Sequence, residues 1–137
     1  MSLAIKVGER YTETIQFTTE DIAAFAEVSK DKNPLHIDLN YAKNTRFGKP
    51  IVHGALLFSH FSRVFGTIWP GEGSIYLKQN VEFLRPIFVD DEATLEIECK
   101  SVNLAKKRVT FLCTFFNLEN KVACQGEAEI YLPNLEK

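Results

Sequence analysis

The sequence predicts an α+β domain in which an antiparallel β-sheet wraps around one long, buried helix. Three observations carry that prediction. The second half of the chain is a succession of period-two apolar runs joined by short polar connections, as in an antiparallel meander. The stretch "HGALLFSHFSRVFGTIW" is apolar around most of a helical circumference, so it must be covered on nearly all sides. Finally, 137 residues are enough for a single domain over 1–137 and too few for two ordinary ones.

Each element follows in order. "RYTETIQFT" is short and β-favouring. Thr18 is a good N-cap with Asp21 three residues on, a loose capping box. Ile22, Phe25, Ala26 and Ser29 then recur at helical spacing. Pro34 drives Asn33 out of helical geometry, which places "DKNPLHID" in the loop beyond the helix. A brief helical piece over Leu39 to Phe47 is closed by Gly48 and Pro50.

The buried helix starts at Gly54 and ends before Pro70 and Gly71; Ser59, His60, Ser62 and Arg63 interrupt it too often for a membrane span. Ile75, Leu77, Val81 and Phe83 alternate, as do Ala93, Leu95, Ile97 and Cys99. Val109, Phe111, Cys113 and Phe115 follow, then Val122, Cys124, Ala128, Ile130 and Leu132. "NLAKK" and "LENK" are hairpin connections, and Asp90-Asp91 is a turn. An open sheet of this kind leaves an edge to protect, which predicts a homodimer formed by sheet extension, with a dimer of dimers left open.

With 25% charged and 45% hydrophobic residues the composition is that of a globular domain. A formal net charge of −2 supplies no electrostatic reason to expect nucleic acid or an anionic membrane as partner. The basic run Lys106, Lys107, Arg108 reads as a solvated hairpin. The N-terminal apolar stretch is too short for a signal peptide. Cys99, Cys113 and Cys124 are odd in number, lack metal or redox spacing and share the apolar register of their strands. Buried free thiols in a reducing cytosol follow, so a cytoplasmic location is expected.

Asp31, Asn33 and His36 are the residues that invite chemistry. Each alone has a bland explanation as a turn residue. Together they flank a rigid Asn-Pro turn able to aim a carboxylate and an imidazole at one water, a general acid–base pair. Gly54, at the start of the buried helix, would offer a free backbone N–H to a carbonyl oxygen that gains charge, or would serve only tight packing. Ser62, further along, would orient the pair or simply bond a preceding carbonyl. His53 anchors the helix entry, and His60 reads as a satisfied core or interface histidine. No residues have zinc spacing, and no dinucleotide, phosphate-loop or nucleophile-elbow motif is present.

"SKDKNPLHIDLNYA" followed by "FGKPIVHGALLFSHFS" resembles the (R)-specific enoyl-CoA hydratases, the MaoC-like family of hot-dog folds, and "PGEGSIYLKQNVEFLRPIFVDDEATLEIE" is similar to that family's third segment. The resemblance implies a hot-dog fold with Asp31 and His36 as the catalytic pair, Asn33 and Ser62 in support and the Gly54 N–H as oxyanion donor. It implies syn addition of water to a trans-2-enoyl-CoA thioester, giving an (R)-3-hydroxyacyl-CoA, with no cofactor, coenzyme A being part of the substrate. Lys30 and Asp90-Asp91 stand where many relatives have glycine or Gly-Asp. Bulky Phe58, Phe61 and Phe65 on the central helix suggest a short acyl pocket suited to crotonyl-CoA, or else core filling. Two alternatives share the fold: a 3-hydroxyacyl-ACP dehydratase and a non-catalytic acyl-CoA-binding subunit. A thioesterase has less need of the Asp-Asn-Pro-His loop. Polyhydroxyalkanoate synthesis, fatty-acid oxidation and fermentation are all open destinations for the product.

Overall fold

A computed structural model describes residues 2–136. Six strands form the main sheet, five of them on one path: β2 (Arg10–Gln16), β3 (Ile75–Gln79), β5 (Glu92–Asn103), β6 (Arg108–Phe116) and β7 (Val122–Tyr131). Their order is β2-β5-β6-β7-β3, antiparallel throughout, and the two-residue β4 (Glu82–Phe83) also pairs with β7. A separate parallel pair joins β1 (Leu3–Ala4) to β8 (Leu135–Glu136). Helix α1 (Thr19–Ser29) follows β2; α2 (Pro34–Ile37), α3 (Leu39–Lys43) and the long α4 (Gly54–Thr67) precede β3. Among the described residues no helix is long and apolar enough to cross a membrane.

The alternation in β5, β6 and β7 has the expected consequence. Leu95, Ile97, Cys99, Phe111, Cys113, Phe115, Cys124 and Ile130 are fully buried on the face turned to α4. Phe61 of α4 meets Phe115 at 5.4 Å between centroids, and Phe65 meets Phe111 at 5.0 Å. Each ring so buried contributes about 1.5–3 kcal/mol, and this layer holds the helix on the sheet. The capping box at Thr18 and Asp21 is present, and Ile22 and Ala26 of α1 are buried. All three cysteines are buried free thiols, with burial pushing their pKa values up. The basic run forms the β5–β6 hairpin, with Arg108 paired to Glu129 at 2.9 Å.

Four expectations are corrected. "DKNPLHID" is not all loop: Pro34 occupies the first turn of α2, where its missing N–H costs nothing, and Asn33 caps it by accepting from Leu35 N at 3.0 Å. The helical piece after it stops at Lys43, short of Phe47, and turns carry the chain to Gly48 in left-handed geometry. Helix α4 is buried on one broad face only. Leu56, Leu57, Phe61, Val64 and Phe65 are covered, while Ala55, Ser59, Ser62 and Gly66 are exposed because a single sheet lies on one side of it. In β3 and β4 the alternation does not point inward: Ile75, Leu77 and Phe83 are 49%, 44% and 52% exposed. A bulge between Tyr76 and Lys78 breaks the register, and β3 is the sheet's outer strand.

One glycine fixes how β3 leads into β4. A Cβ on Gly126 of β7 would stand 1.8 Å from the Asn80 carbonyl oxygen, so only glycine admits the crossing backbone. Asn80 clamps the crossing by exchanging bonds with Glu127: its N donates to the Glu127 carbonyl at 2.9 Å, and its Oδ1 accepts from Glu127 N at 3.0 Å. That crossing delivers the Phe83 ring to the start of α4.

Candidate active site

The loop carrying Asp31, Asn33 and His36 is built from nested side-chain turns. Lys30 ends α1 in left-handed geometry (φ 64°), which reverses the chain. Ser29 Oγ accepts from Asp31 N at 3.1 Å, Asp31 Oδ1 from Asn33 N at 3.3 Å, and Asn33 Oδ1 from Leu35 N at 3.0 Å. Asn33 therefore supports the loop through its cap, one residue after the next in a chain of local bonds. Asp90, the other position where the family pattern differs, is likewise left-handed (φ 74°), and its N–H donates to the Phe17 carbonyl at 2.7 Å.

His36 rides on α2. Its Nδ1 lies 2.6 Å from the Ile51 carbonyl oxygen. A carbonyl can only accept, so Nδ1 carries the proton and, in the neutral ring, Nε2 carries the lone pair. Beneath it lies His53, 1% exposed, with ring centroids 4.0 Å apart and planes at 26°. Phe25 packs edge-on against the His53 ring at 4.9 Å. His53 Nε2 donates to the Asp31 backbone carbonyl at 3.1 Å, and its buried Nδ1 has no partner among the described residues. Burial lowers the His53 pKa, with His36 adding to the shift and the bond to Asp31 opposing it. A neutral His53 thus ties the loop to the entry of α4.

Asp31, His36 and His53 each offer one ligand atom within 4.8 Å of the others, a cluster that spacing along the chain did not predict because it closes across 22 residues. His36 Nδ1 and His53 Nε2 are already committed to carbonyl oxygens. No direct hydrogen bond links Asp31 to His36 among the described residues, and a water with two bonds of ordinary length spans about 4.5 Å.

Gly54 opens α4 with no side-chain cap before it, leaving its N–H without an intrahelical partner. A Cβ there would stand 2.7 Å from the far end of the Phe83 ring, which would have to move to admit it. His36 and Gly54 line one cavity of about 600 Å³ whose apolar walls include Val52, Leu57, Phe83 and Ile87. Asp31 is not among its lining residues and meets the site beside His36. His36 also borders a second cavity of about 480 Å³ against α1.

The structure does not bring every predicted residue here. Ser62 is exposed, two turns and about 12 Å along α4 from Gly54. Phe61 and Phe65 fill the core, Phe58 packs against it, and none of the three lines the His36 cavity; Leu57 does. His60 accepts from Arg63 Nε at 3.0 Å while Arg63 reaches Glu13 at 2.8 Å, so it is a satisfied histidine. Burial, then Arg63, lowers its pKa. Phe83 goes unread in sequence because its alternation looks inward; His53 is expected to anchor the helix entry, and the structure adds its partner, the Asp31 carbonyl.

Comparison with known proteins now decides the family. Residues 4–114 match the MaoC like domain. The chain belongs to the MaoC-like family. Among its relatives, the (R)-specific enoyl-CoA hydratase of Aeromonas caviae is 42% identical over 95% of this chain and 97% of that protein. The mitochondrial 3-hydroxyacyl-[acyl-carrier-protein] dehydratase of Arabidopsis thaliana is 37% identical over 96% of this chain and 80% of that one. The structure of the A. caviae (R)-hydratase, described as involved in PHA biosynthesis, superposes with a TM-score of 0.91 over 94% of this MaoC-like chain and 98% of its own. An unliganded R-hydratase from Pseudomonas aeruginosa gives 0.88 at 37% identity, covering 94% and 83%. The hot-dog architecture of the MaoC-like proteins is therefore the fold of this chain.

Proposed function

We propose that this MaoC-like protein is an (R)-specific enoyl-CoA hydratase, a hydro-lyase adding water reversibly to trans-2-enoyl-CoA. The observation that carries the reading is the single cavity shared by His36 and the Gly54 amide, with the Asp31 carboxyl within 4.8 Å of the imidazole cluster. The thioester oxygen accepts from Gly54 N–H, where the positive end of the α4 dipole favours the charge that develops on it. Asp31 and His36 Nε2 hold one water on the same side of the double bond. As the C3–O bond forms, the pair takes a proton from that water and returns one to C2, so OH and H add from one face. His36 is fixed for this by the Ile51 carbonyl at 2.6 Å. No cofactor enters beyond the coenzyme A of the substrate.

The same reading takes the molecule as a cytoplasmic homodimer. Support for the dimer is the exposed apolar edge at Ile75, Leu77, Phe83 and Leu84, of the kind that sheet extension covers. The Arabidopsis relative keeps an acyl-carrier-protein thioester as the second candidate substrate. Crotonyl-CoA hydration with chiral analysis of the product tests the proposal. Formation of (R)-3-hydroxybutyryl-CoA, reduced at least 100-fold in Asp31→Asn, is the expected result; no turnover with any enoyl thioester would leave the acyl-CoA-binding subunit as the better account.

A further inference from the structure

The chain contains five arginines. Three hold carboxylates: Arg10 lies 3.5 Å from Glu98, Arg63 2.8 Å from Glu13 and Arg108 2.9 Å from Glu129. The other two, Arg46 and Arg85, take part in no ion pair among the described residues, and they are the two that line the cavity of His36 and Gly54. No aspartate or glutamate lines it with them. In a chain of formal net charge −2 the cavity is thus a local reversal of sign. The cavity on the other side of His36 has Lys49 together with Asp90, so its charges cancel.

Each of the two guanidiniums is held by a neutral partner. Arg85 Nη1 donates to the Val122 carbonyl at 2.8 Å, and Arg46 lies over the Phe47 ring, 4.7 Å from its centroid. Both contacts orient the group and leave its charge uncompensated. Side chains kept in place without a carboxylate, in the lining of a largely apolar cavity, are suited to an anion brought by the ligand.

We infer that Arg46 and Arg85 bind the phosphate groups of the CoA carrier while the thioester lies at His36 and Gly54. The inference rests on the hydratase reading for the identity of the thioester. An enoyl chain such as crotonyl is uncharged, so the phosphates are the only anions such a substrate carries. The planar guanidinium pairs with phosphate oxygens through two parallel N–H bonds. Those contacts lie away from C2 and C3 and are made equally before and during reaction, so their loss is read in KM.

The test compares crotonyl-CoA, crotonyl-dephospho-CoA and crotonyl-pantetheine on the full chain, in wild type, Arg46→Ala, Arg85→Ala and the control Lys121→Ala, whose side chain is on the exposed β6–β7 connection. Either arginine variant should raise KM for crotonyl-CoA about tenfold. That difference should vanish with crotonyl-pantetheine, which has no phosphate, and should shrink in high salt. An unchanged KM for crotonyl-CoA, or an equal rise with the pantetheine thioester, overturns the inference. A rise confined to acyl-carrier-protein thioesters also overturns it, in favour of an acidic protein docking there. Calorimetry with free CoA separates the two levels of the reading. If wild type hydrates nothing yet binds CoA about tenfold more tightly than the arginine variants, the hydratase reading fails and the phosphate site stands; equal binding removes the site whatever the turnover.

Discussion

Replacing His53 by phenylalanine, and following stability against pH, examines the tether beneath the Asp31–His36 loop. His53 and His60 both have pKa values lowered in the fold, burial being the main cause for each. Unfolding returns them to about 6.5. The unfolded chain then binds protons that the native chain does not, so stability must fall as pH drops through 6.5. Between pH 7 and pH 5.5 a histidine that stays wholly neutral in the fold removes at most about 1.3 kcal/mol. Urea unfolding of wild type and His53→Phe at both pH values measures this. The variant should lose less stability than wild type on acidification. Comparing slopes cancels whatever the larger ring adds or subtracts by packing at fixed pH. Without the Nε2–H bond to the Asp31 carbonyl, kcat should also fall, by about tenfold or more. An acid-induced loss in the variant equal to that of wild type would show that native His53 takes up a proton, and would refute a neutral tether.

Three further outcomes follow from the same coordinates. Lys30→Gly should raise stability by about 0.5 kcal/mol in urea unfolding, since a left-handed backbone strains lysine by more than glycine loses in chain entropy. Phe65→Ala should cost about 3–5 kcal/mol and lower Tm by about 10 °C or more, because the ring is packed on Phe111; a small change in Tm with new acceptance of longer enoyl chains would instead put that ring in the acyl site. Gly54→Ala should lower kcat about 100-fold at little cost in Tm, since the half-exposed Phe83 ring can swing from the new methyl group while the thioester cannot.

Legibility in the sequence divided along physical lines. Strands β5, β6 and β7 were readable because both their neighbours lie in the same sheet, so period two maps directly onto inside and outside. The capping box and the stop before Pro34 were readable because they are settled within four residues. Ile75, Leu77 and Phe83 misled because an outer strand shows the same alternation whatever covers it. Asp31, Asn33 and His36 were identifiable from chemistry and family resemblance, and Gly54 from its place before an apolar helix. What joins them was not legible: the Ile51 carbonyl on His36, the His53 ring beneath it and Phe83 over Gly54 are contacts between segments, set by the fold. The two unpaired arginines belong to the same class, since their significance lies in which carboxylates fail to reach them.

His53 and Gly54 are consecutive residues, one bonded to the Asp31 carbonyl and the other opening α4 with no side-chain cap. The tether to the Asp31–His36 loop and the helix-entry amide therefore share a single peptide joint. A shift of α4 along its axis carries both together and preserves the distance between them. Substitutions at the far end of the helix, around Phe65 and Trp69, can then reshape the core without parting that tether from the amide.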